Sequence, residues 1–583
     1  MSNKISLKTE AKCGMNPCGS RIPIKLMTGR IKMITDGTKV GWPKEITDKI
    51  TKQMVHGVEN YVYKDRPKTL DELLKNTVAR YPDKVALIFE DQSITYRELD
   101  RLVNNMASAL INDCGIQKGD RVGLLFKNCI EIVIAMFGAI RAGAIVLPLN
   151  NKLKSAELKY QLENSGTKLL MGESEYYEPA IAPIRGEIPC KQFYLLGDSI
   201  PDTMPFSALI EKDTAHDISV PMNEEDTVWI VYTSGTTGKP KGALSSHIDG
   251  IHSVMSYTFC YNITPEDRGI IAVPLFHVTG LFAQLITLIY AGGSSVIMPK
   301  MDAAEMIRLI AEKRVTHTLS VPTVYIMMMN HPDAKKYDLS HFRIGAFGGA
   351  AISAESVRQI GQWLPQIELH NTYGLTEVSS PATMMPHQHS SRKPASIGWP
   401  TPVTQLKIVD PVTFEEMPVN AEGELWIKAP NVTKGYWEMP EASAKSITDG
   451  WLHTGDVAAI DEEGFVYIKD RLKDMINRGG EKIFSVEVEN VLYTNPKILE
   501  VAVVGVPDEK FGELVKAVVV PKAGTNITEA EVKEWVIIRM AKFKTPTYVE
   551  FVKELPRNPN GKIIKKELRY IPGEATKSKK QAG

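Results

Sequence analysis

The sequence predicts an α/β fold: a large N-terminal domain of parallel-sheet αβα layers carrying a small β-rich lobe, then a smaller α+β C-terminal domain. Three features predict it. From Thr69 onward, apolar strands and amphipathic helices alternate, the pattern of a parallel sheet covered on both faces. Between about 404 and 470 the alternation gives way to short strands with turn signals. After Lys469 a charged, glycine-bearing stretch, DRLKDMINRGGEK, precedes a compact unit running to about residue 570. The expected divisions are an extension over 1–65, the large domain over 66–470, a mobile C-terminal domain over 471–572 and a polar tail over 573–583.

In order along the chain, residues 1–65 are weakly patterned and read as irregular. TLDELLKNTVARYP has helical spacing, with Asp71 and Glu72 in the first turn and Pro82 past the end. KVALIFEDQSITY reads as two short β runs around a polar turn. ELDRLVNNMASALIN places Leu99, Leu102, Val103, Met106 and Leu110 on one helical face. VGLLF reads as a strand and IEIVIAMFGAIRAG as a helix ended by Gly143; IVLPLN is a strand, SAELKYQLENS a helix and KLLMG a strand. The alternation resumes at TVWIVYTSG and runs through IIAVPLF, SSVIMP, THTLSVP and FRIGAFGG. The lobe is QLKIVD, GELWIKA, DGWLHTGDVAAID and GFVYIKD. The last unit has strands near VAVVGVP and KAVVVP and a helix near EAEVKEWVIIRM.

Composition excludes several classes. Sixty-nine Lys plus Arg balance 69 Asp plus Glu, which argues against a nucleic-acid binder built on a broad basic field. Six cysteines in 583 residues argue against a disulfide scaffold, and Cys13 with Cys18 lacks the partners of a zinc site. The most apolar run, Cys129 to Leu149, is interrupted by Glu131 and Arg141, so no membrane span is expected. No secretory signal is visible at the N-terminus, and a cytoplasmic location is expected. The first fifty residues hold ten basic and four acidic side chains, a solvated arm or a peripheral membrane contact. Oligomerisation stays open.

The strongest local signal is the run Thr233, Ser234, Gly235, Thr236, Thr237, Gly238, Lys239, Pro240, Lys241, Gly242, directly after an apolar strand. Glycines let backbone N–H groups approach an anion, and hydroxyls and lysines add donors and charge. Pro240 follows Lys239 where a Walker A loop needs Ser or Thr for magnesium, and no GxGxxG dinucleotide fingerprint follows a strand.

This loop resembles the phosphate-loop signature of the adenylate-forming superfamily, which includes acyl-CoA synthetases, luciferases and peptide-synthetase adenylation domains. Further segments resemble the family's motifs in order: PLFHVTG from Pro274, Gly348-Gly349-Ala350, NTYGLTE from Asn371, Gly423-Glu424-Leu425, WLHTGD from Trp451, DRLKD from Asp470 and PRNPNGK from Pro556. The resemblance covers about residues 69–570. It implies an ATP-dependent acid–thiol ligase, forming an acyl-adenylate with release of pyrophosphate and then a CoA thioester with release of AMP. ATP, magnesium and CoA are the implied cofactor and co-substrates.

The resemblance also implies roles. Thr233, Ser234, Gly235, Thr236, Thr237, Gly238 and Lys241 would serve the β- and γ-phosphates, and Thr376 with Glu377 the magnesium and a phosphate. Alone, Glu377 reads as a solvated carboxylate. Asp456 would clamp the ribose hydroxyls through short charge-assisted bonds, although an Asp after Gly is often a turn former. Arg471 would be the second ribose or phosphate contact. Gly349, Ala350 and Tyr373 would wall the adenine site. Lys562 would bridge carboxylate and α-phosphate oxygens as the catalytic lysine, Lys473 would be the hinge, and Gly479 with Gly480 would flank the pantetheine tunnel. His277 and Val278 would gate the acyl pocket, with Phe259, Tyr325, Phe347 and Ala351 as candidate lining. Gly374, where acetate-activating relatives place a tryptophan, is expected to leave the pocket open to acids larger than propionate. A medium- or long-chain fatty acid leads and a cyclic or aryl acid follows. Two other readings are a stand-alone enzyme loading a carrier-protein pantetheine and a non-catalytic nucleotide or acyl-CoA sensor.

Overall fold

The computed structural model describes residues 35–214, 216–233, 239–349, 352–557 and 563–571. Two sheets form the large domain. One runs in the order Met204–Pro205, Gln192–Leu196, Leu169–Glu173, Arg121–Leu125, Ile145–Pro148, Thr227–Thr233, Lys241–Ser246. Its neighbours are parallel except the last pair. The other has nine strands, and its six central ones, from Glu368–Tyr373 to Val85–Phe89, are parallel. Strands such as Leu169–Glu173 and Ile344–Gly348 are buried at every position, as a sheet covered on both faces requires.

The helices follow their local signals. Thr69 caps Leu70–Arg80 by accepting from the Glu72 N–H, and Thr95 and Glu98 form a reciprocal capping box on Tyr96–Asn112. Ile130–Arg141 is buried from Ile132 to its last residue and joins both helices in the largest core cluster. Arg141 is 0% exposed. Its Nε donates to Asp71 Oδ1 at 2.6 Å and its Nη2 to Asp100 Oδ1 at 2.6 Å, tying three helices together.

The lobe is a six-stranded antiparallel sheet centred on Gly423–Lys428 and Trp451–Ile460, with Thr35–Asp36 on its Gln405–Val409 edge. The C-terminal unit holds a five-stranded sheet in which Ile498–Asp508 pairs with Gly512–Pro521.

One expectation is corrected. Residues 35–65 are not irregular: Ile50–Val55 and Val58–Tyr63 form a hairpin. Its turn is His56-Gly57, both at positive φ (51° and 77°), the twist that two-residue hairpins favour. Tyr63 is fully buried, with its ring 5.8 Å from His252 and 5.2 Å from Phe259. Residues 1–34, with Cys13 and Cys18, and the tail lie outside the described residues.

The turn carries a titratable contact. His56 Nε2 lies 2.8 Å from the buried Asp249 Oδ1 and Nδ1 lies 3.6 Å from Glu225. Burial opposes charge on the ring, but the Asp249 hydrogen bond and the charges of Asp249 and Glu225, against Lys434, raise its pKa. A raised folded-state pKa contributes fully below the unfolded value, and that contribution is lost as pH rises through the folded one. The stability advantage over His56→Asn, a residue that tolerates positive φ, is therefore expected to be greater at about pH 6 than at about pH 9. Urea unfolding at the two pH values checks this; a pH-independent gap refutes it.

Candidate active site

Thr233 ends one strand and Lys241 starts its antiparallel neighbour, so the two face each other in register. The Thr233 hydroxyl donates to the Lys241 carbonyl at 3.4 Å. Ser234, Gly235, Thr236, Thr237 and Gly238 lie outside the described residues, as do Ala350, Ala351 and Lys562.

The Lys241 ammonium sits 4.7 Å from the centre of the Tyr436 ring. The Tyr436 hydroxyl donates to Glu377 Oε1 at 2.9 Å. Glu377 occupies a helical turn, Thr376–Val378, just past strand Glu368–Tyr373. Its main chain is fixed by the Thr433 N–H, which donates to the Glu377 carbonyl at 2.7 Å. Among the described residues no group of three His, Cys, Asp or Glu side chains is placed to hold a metal. The arrangement fits a cation shared between one carboxylate and phosphate oxygens, since only one Glu377 oxygen is taken by a described partner.

The second cluster surrounds Asp456. Strand register sets Asp456 opposite Arg471. Arg471 Nε lies 3.1 Å from Asp456 Oδ1, and the Tyr373 hydroxyl donates to Oδ2 at 2.6 Å. Burial, with the charge of Asp456 and that bond, raises the Tyr373 phenol well above its ordinary range, so it stays a donor. The Asp456 N–H donates to the Thr454 hydroxyl at 3.0 Å, and the Gly455 N–H to Glu424 Oε1 at 2.9 Å. Asp456 is thus an oriented carboxylate, 3% exposed, midway along strand Trp451–Ile460. Gly349 follows strand Ile344–Gly348 at φ 73°, and a Cβ there would meet only Val321, at 3.9 Å.

The acyl expectations change. A Cβ on Gly374 would lie 1.3 Å from the Ser380 carbonyl oxygen and 2.5 Å from its carbon. Main chain fills that space, so the glycine does not leave an open floor. Gly374→Ala is expected to cost about 1–3 kcal/mol by overpacking, seen as a lower melting temperature; an unchanged melting temperature with altered acid preference would restore the open-floor reading. Tyr325 is 0% exposed and belongs to the core, its hydroxyl donating to the Thr318 and Ala346 carbonyls at 3.2 and 2.9 Å. Phe347 and Val278 are likewise buried in core clusters. Phe259 packs edge-on to Tyr63 of the N-terminal hairpin, with the Lys49 ammonium 4.5 Å from its ring centre. His277 Nδ1 accepts from the Thr279 N–H at 3.3 Å.

At the inter-domain segment the Asp470 carboxylate accepts from the Ser485 N–H and, at 3.0 Å, its hydroxyl. Burial lowers the Lys473 pKa, Asp474 opposing, and the Lys473 carbonyl accepts from Arg569 at 2.6 Å. Gly479 and Gly480, at φ 61° and 93°, turn the chain between Ile476–Arg478 and Glu481–Ile483. The Gly479 N–H donates to the Phe511 carbonyl at 2.7 Å.

Sequence reasoning missed Tyr436 and Thr433. The available signal was Lys434-Gly435-Tyr436-Trp437, a glycine followed by two aromatics after the lobe strand Gly423–Lys428.

Residues 74–437 match the family model described as AMP-binding enzyme, and 487–562 match the AMP-binding enzyme C-terminal domain. A feruloyl-CoA synthase from Amycolatopsis sp is 34% identical over 492 residues, covering 84% of this chain and 96% of that protein. A long-chain-fatty-acid–CoA ligase from Bacillus subtilis (strain 168) is 34% identical over 530 residues, covering 86% and 94%. The crystal structure of ATP-bound MatB from Rhodopseudomonas palustris is 32% identical with a TM-score of 0.80, covering 86% of this chain and 98% of that one. The chain belongs to the AMP-binding enzyme family. Within it, the chain is an AMP-forming acid–CoA ligase, an enzyme that makes a thioester by way of an acyl-adenylate. Among the described residues no helix is long and apolar enough to cross a membrane.

Proposed function

We propose that the two clusters divide the nucleotide between them and that the acid is a fatty or aryl carboxylate. Asp456, oriented by Tyr373 and Arg471, accepts hydrogen bonds from the two ribose hydroxyls. Gly349 leaves its side of the adenine site free of side chain, with Ala350 and Tyr373 completing the wall. Thr233 and Lys241, with the 234–238 donors, hold the β- and γ-phosphates. Glu377, with Thr376 beside it, would hold magnesium, which when bound neutralises phosphate charge.

The reaction joins two anions, the acid and the α-phosphate. Catalysis therefore rests on positioning and charge neutralisation. Lys562 supplies the cation at the reacting oxygens, while Lys241 stabilises the leaving pyrophosphate. The C-terminal domain then turns at Lys473, bringing Gly479 and Gly480 beside the acyl-adenylate for attack by the CoA thiol.

The observation that carries this reading is the Tyr373–Asp456–Arg471 cluster, in which a phenol and a guanidinium on separate strands each orient one oxygen of a buried carboxylate. The fatty-acid reading leans on the similarity to the long-chain ligase, and the aryl reading on that to the feruloyl-CoA synthase. Pyrophosphate release with a panel of short, medium, long and aryl acids tests both. Turnover with long-chain and aryl acids but not with acetate is expected; activity confined to acetate or to dicarboxylates would overturn the substrate class.

A further inference from the structure

The segment 433–437 forms an added edge on strand Lys241–Ser246. Tyr436 bridges Ala243 in antiparallel fashion, the Trp437 N–H donates to the Gly242 carbonyl at 2.8 Å, and the Leu244 N–H to the Gly435 carbonyl at 3.0 Å. The Tyr436 N–H is held by the Ser443 hydroxyl at 2.8 Å, and Gly435 reaches φ 140° to make the turn. The tyrosine main chain is therefore fixed before its side chain does anything.

That side chain stands between two charges of opposite sign. Its hydroxyl meets Glu377 Oε1 at 2.9 Å and its ring face meets the Lys241 ammonium at 4.7 Å. Among the described residues no ion pair joins Lys241 to Glu377. Direct pairing would cancel both charges and remove them from a triphosphate. A phenol can bond the carboxylate with its edge and attract the cation with its face, so each charge keeps its value.

We infer that Tyr436 is a positioning residue for the phosphate side of the site: its hydroxyl commits one Glu377 oxygen, leaving the other for a magnesium–triphosphate complex, and its ring holds Lys241 beside the same phosphates. This rests on the roles proposed above for Glu377 and Lys241. Partners that orient a metal-binding carboxylate typically change metal affinity by about 10–100-fold when removed.

The test measures calorimetric binding of α,β-methylene-ATP to the full chain with and without magnesium, a readout independent of turnover. The ratio of the two dissociation constants reports how strongly the protein couples nucleotide to the cation. Tyr436→Phe keeps the ring and is expected to lower this ratio by about tenfold or more while leaving magnesium-free binding unchanged. Tyr436→Leu is expected to weaken magnesium-free binding as well, because Lys241 loses its platform. Glu377→Gln is the control. If it lowers the ratio and Tyr436→Phe does not, the inference is overturned and the Glu377 reading stands. If Glu377→Gln leaves the ratio unchanged, the Glu377 assignment falls and the inference with it. Melting temperatures of all three variants separate lost positioning from lost folding.

Discussion

Lys562→Ala is expected to slow acyl-adenylate formation by about 10²–10³-fold, roughly 3–4 kcal/mol of transition-state stabilisation, while thioester formation from supplied acyl-adenylate and CoA continues near the native rate. The reason is the charge of the first step alone. A carboxylate must approach a phosphate that is already anionic, and one ammonium between them acts only while that charge develops. In the second step a thiol attacks an uncharged acyl carbon, and the proposed turn at Lys473 carries the C-terminal domain away. The described residues that flank 558–562 pair with one another. The Ile564 N–H donates to the Pro556 carbonyl at 2.8 Å, and Arg557 bridges Ile563. Further on, Lys565 pairs with Glu489 at 2.7 Å, and the buried Lys516 donates to the Leu568 and Tyr570 carbonyls at 3.1 and 2.9 Å. Single-turnover measurement of each half-reaction decides the matter. Equal loss in both would mean that Lys562 is not the adenylation cation.

Arg141→Ala is expected to destabilise the large domain by about 3–5 kcal/mol, the usual consequence of stripping one partner from a buried ion pair. The guanidinium is fully buried, and Asp71 and Asp100, on two other helices, both point at it. Burial opposes the charge on Arg141, yet Asp71 and Asp100 raise its pKa, so the attraction prevails over desolvation. Alanine leaves two carboxylates facing a cavity. Asp71 keeps Lys75 at 3.2 Å, which places the loss toward the lower end of the range. The midpoint of urea unfolding checks the prediction, and a loss below about 1 kcal/mol would show that solvent or Lys75 replaces the arginine.

Arg141 also shows how a sequence feature changes meaning on folding. In the sequence it is the charge that interrupts an apolar run and argues against a membrane span. In the structure it is the anchor of three helices, because its two acidic partners lie 70 and 41 residues upstream. The same holds at the site. Thr233, Lys241, Glu377, Asp456 and Arg471 are legible as motif residues, each with its own spacing. Their grouping into two clusters is not, since Tyr373 and Asp456 are 83 residues apart and Tyr436 and Glu377 are 59 apart. The hairpin over 50–63 escaped notice because its alternation is short and its turn is His-Gly.

Sequence by itself determined the alternation of strand and helix, the change of character at the lobe and the order of the glycine-rich run and the acidic and basic motif residues. These are local properties: periodicity, turn chemistry and donor density act over a few residues. Tertiary structure alone decided that main chain fills the space beside Gly374, that Tyr325 belongs to the core, and that a tyrosine stands between Lys241 and Glu377. Those outcomes depend on where distant main chain passes within a few ångströms, and close packing leaves no margin for a spacing argument to supply it.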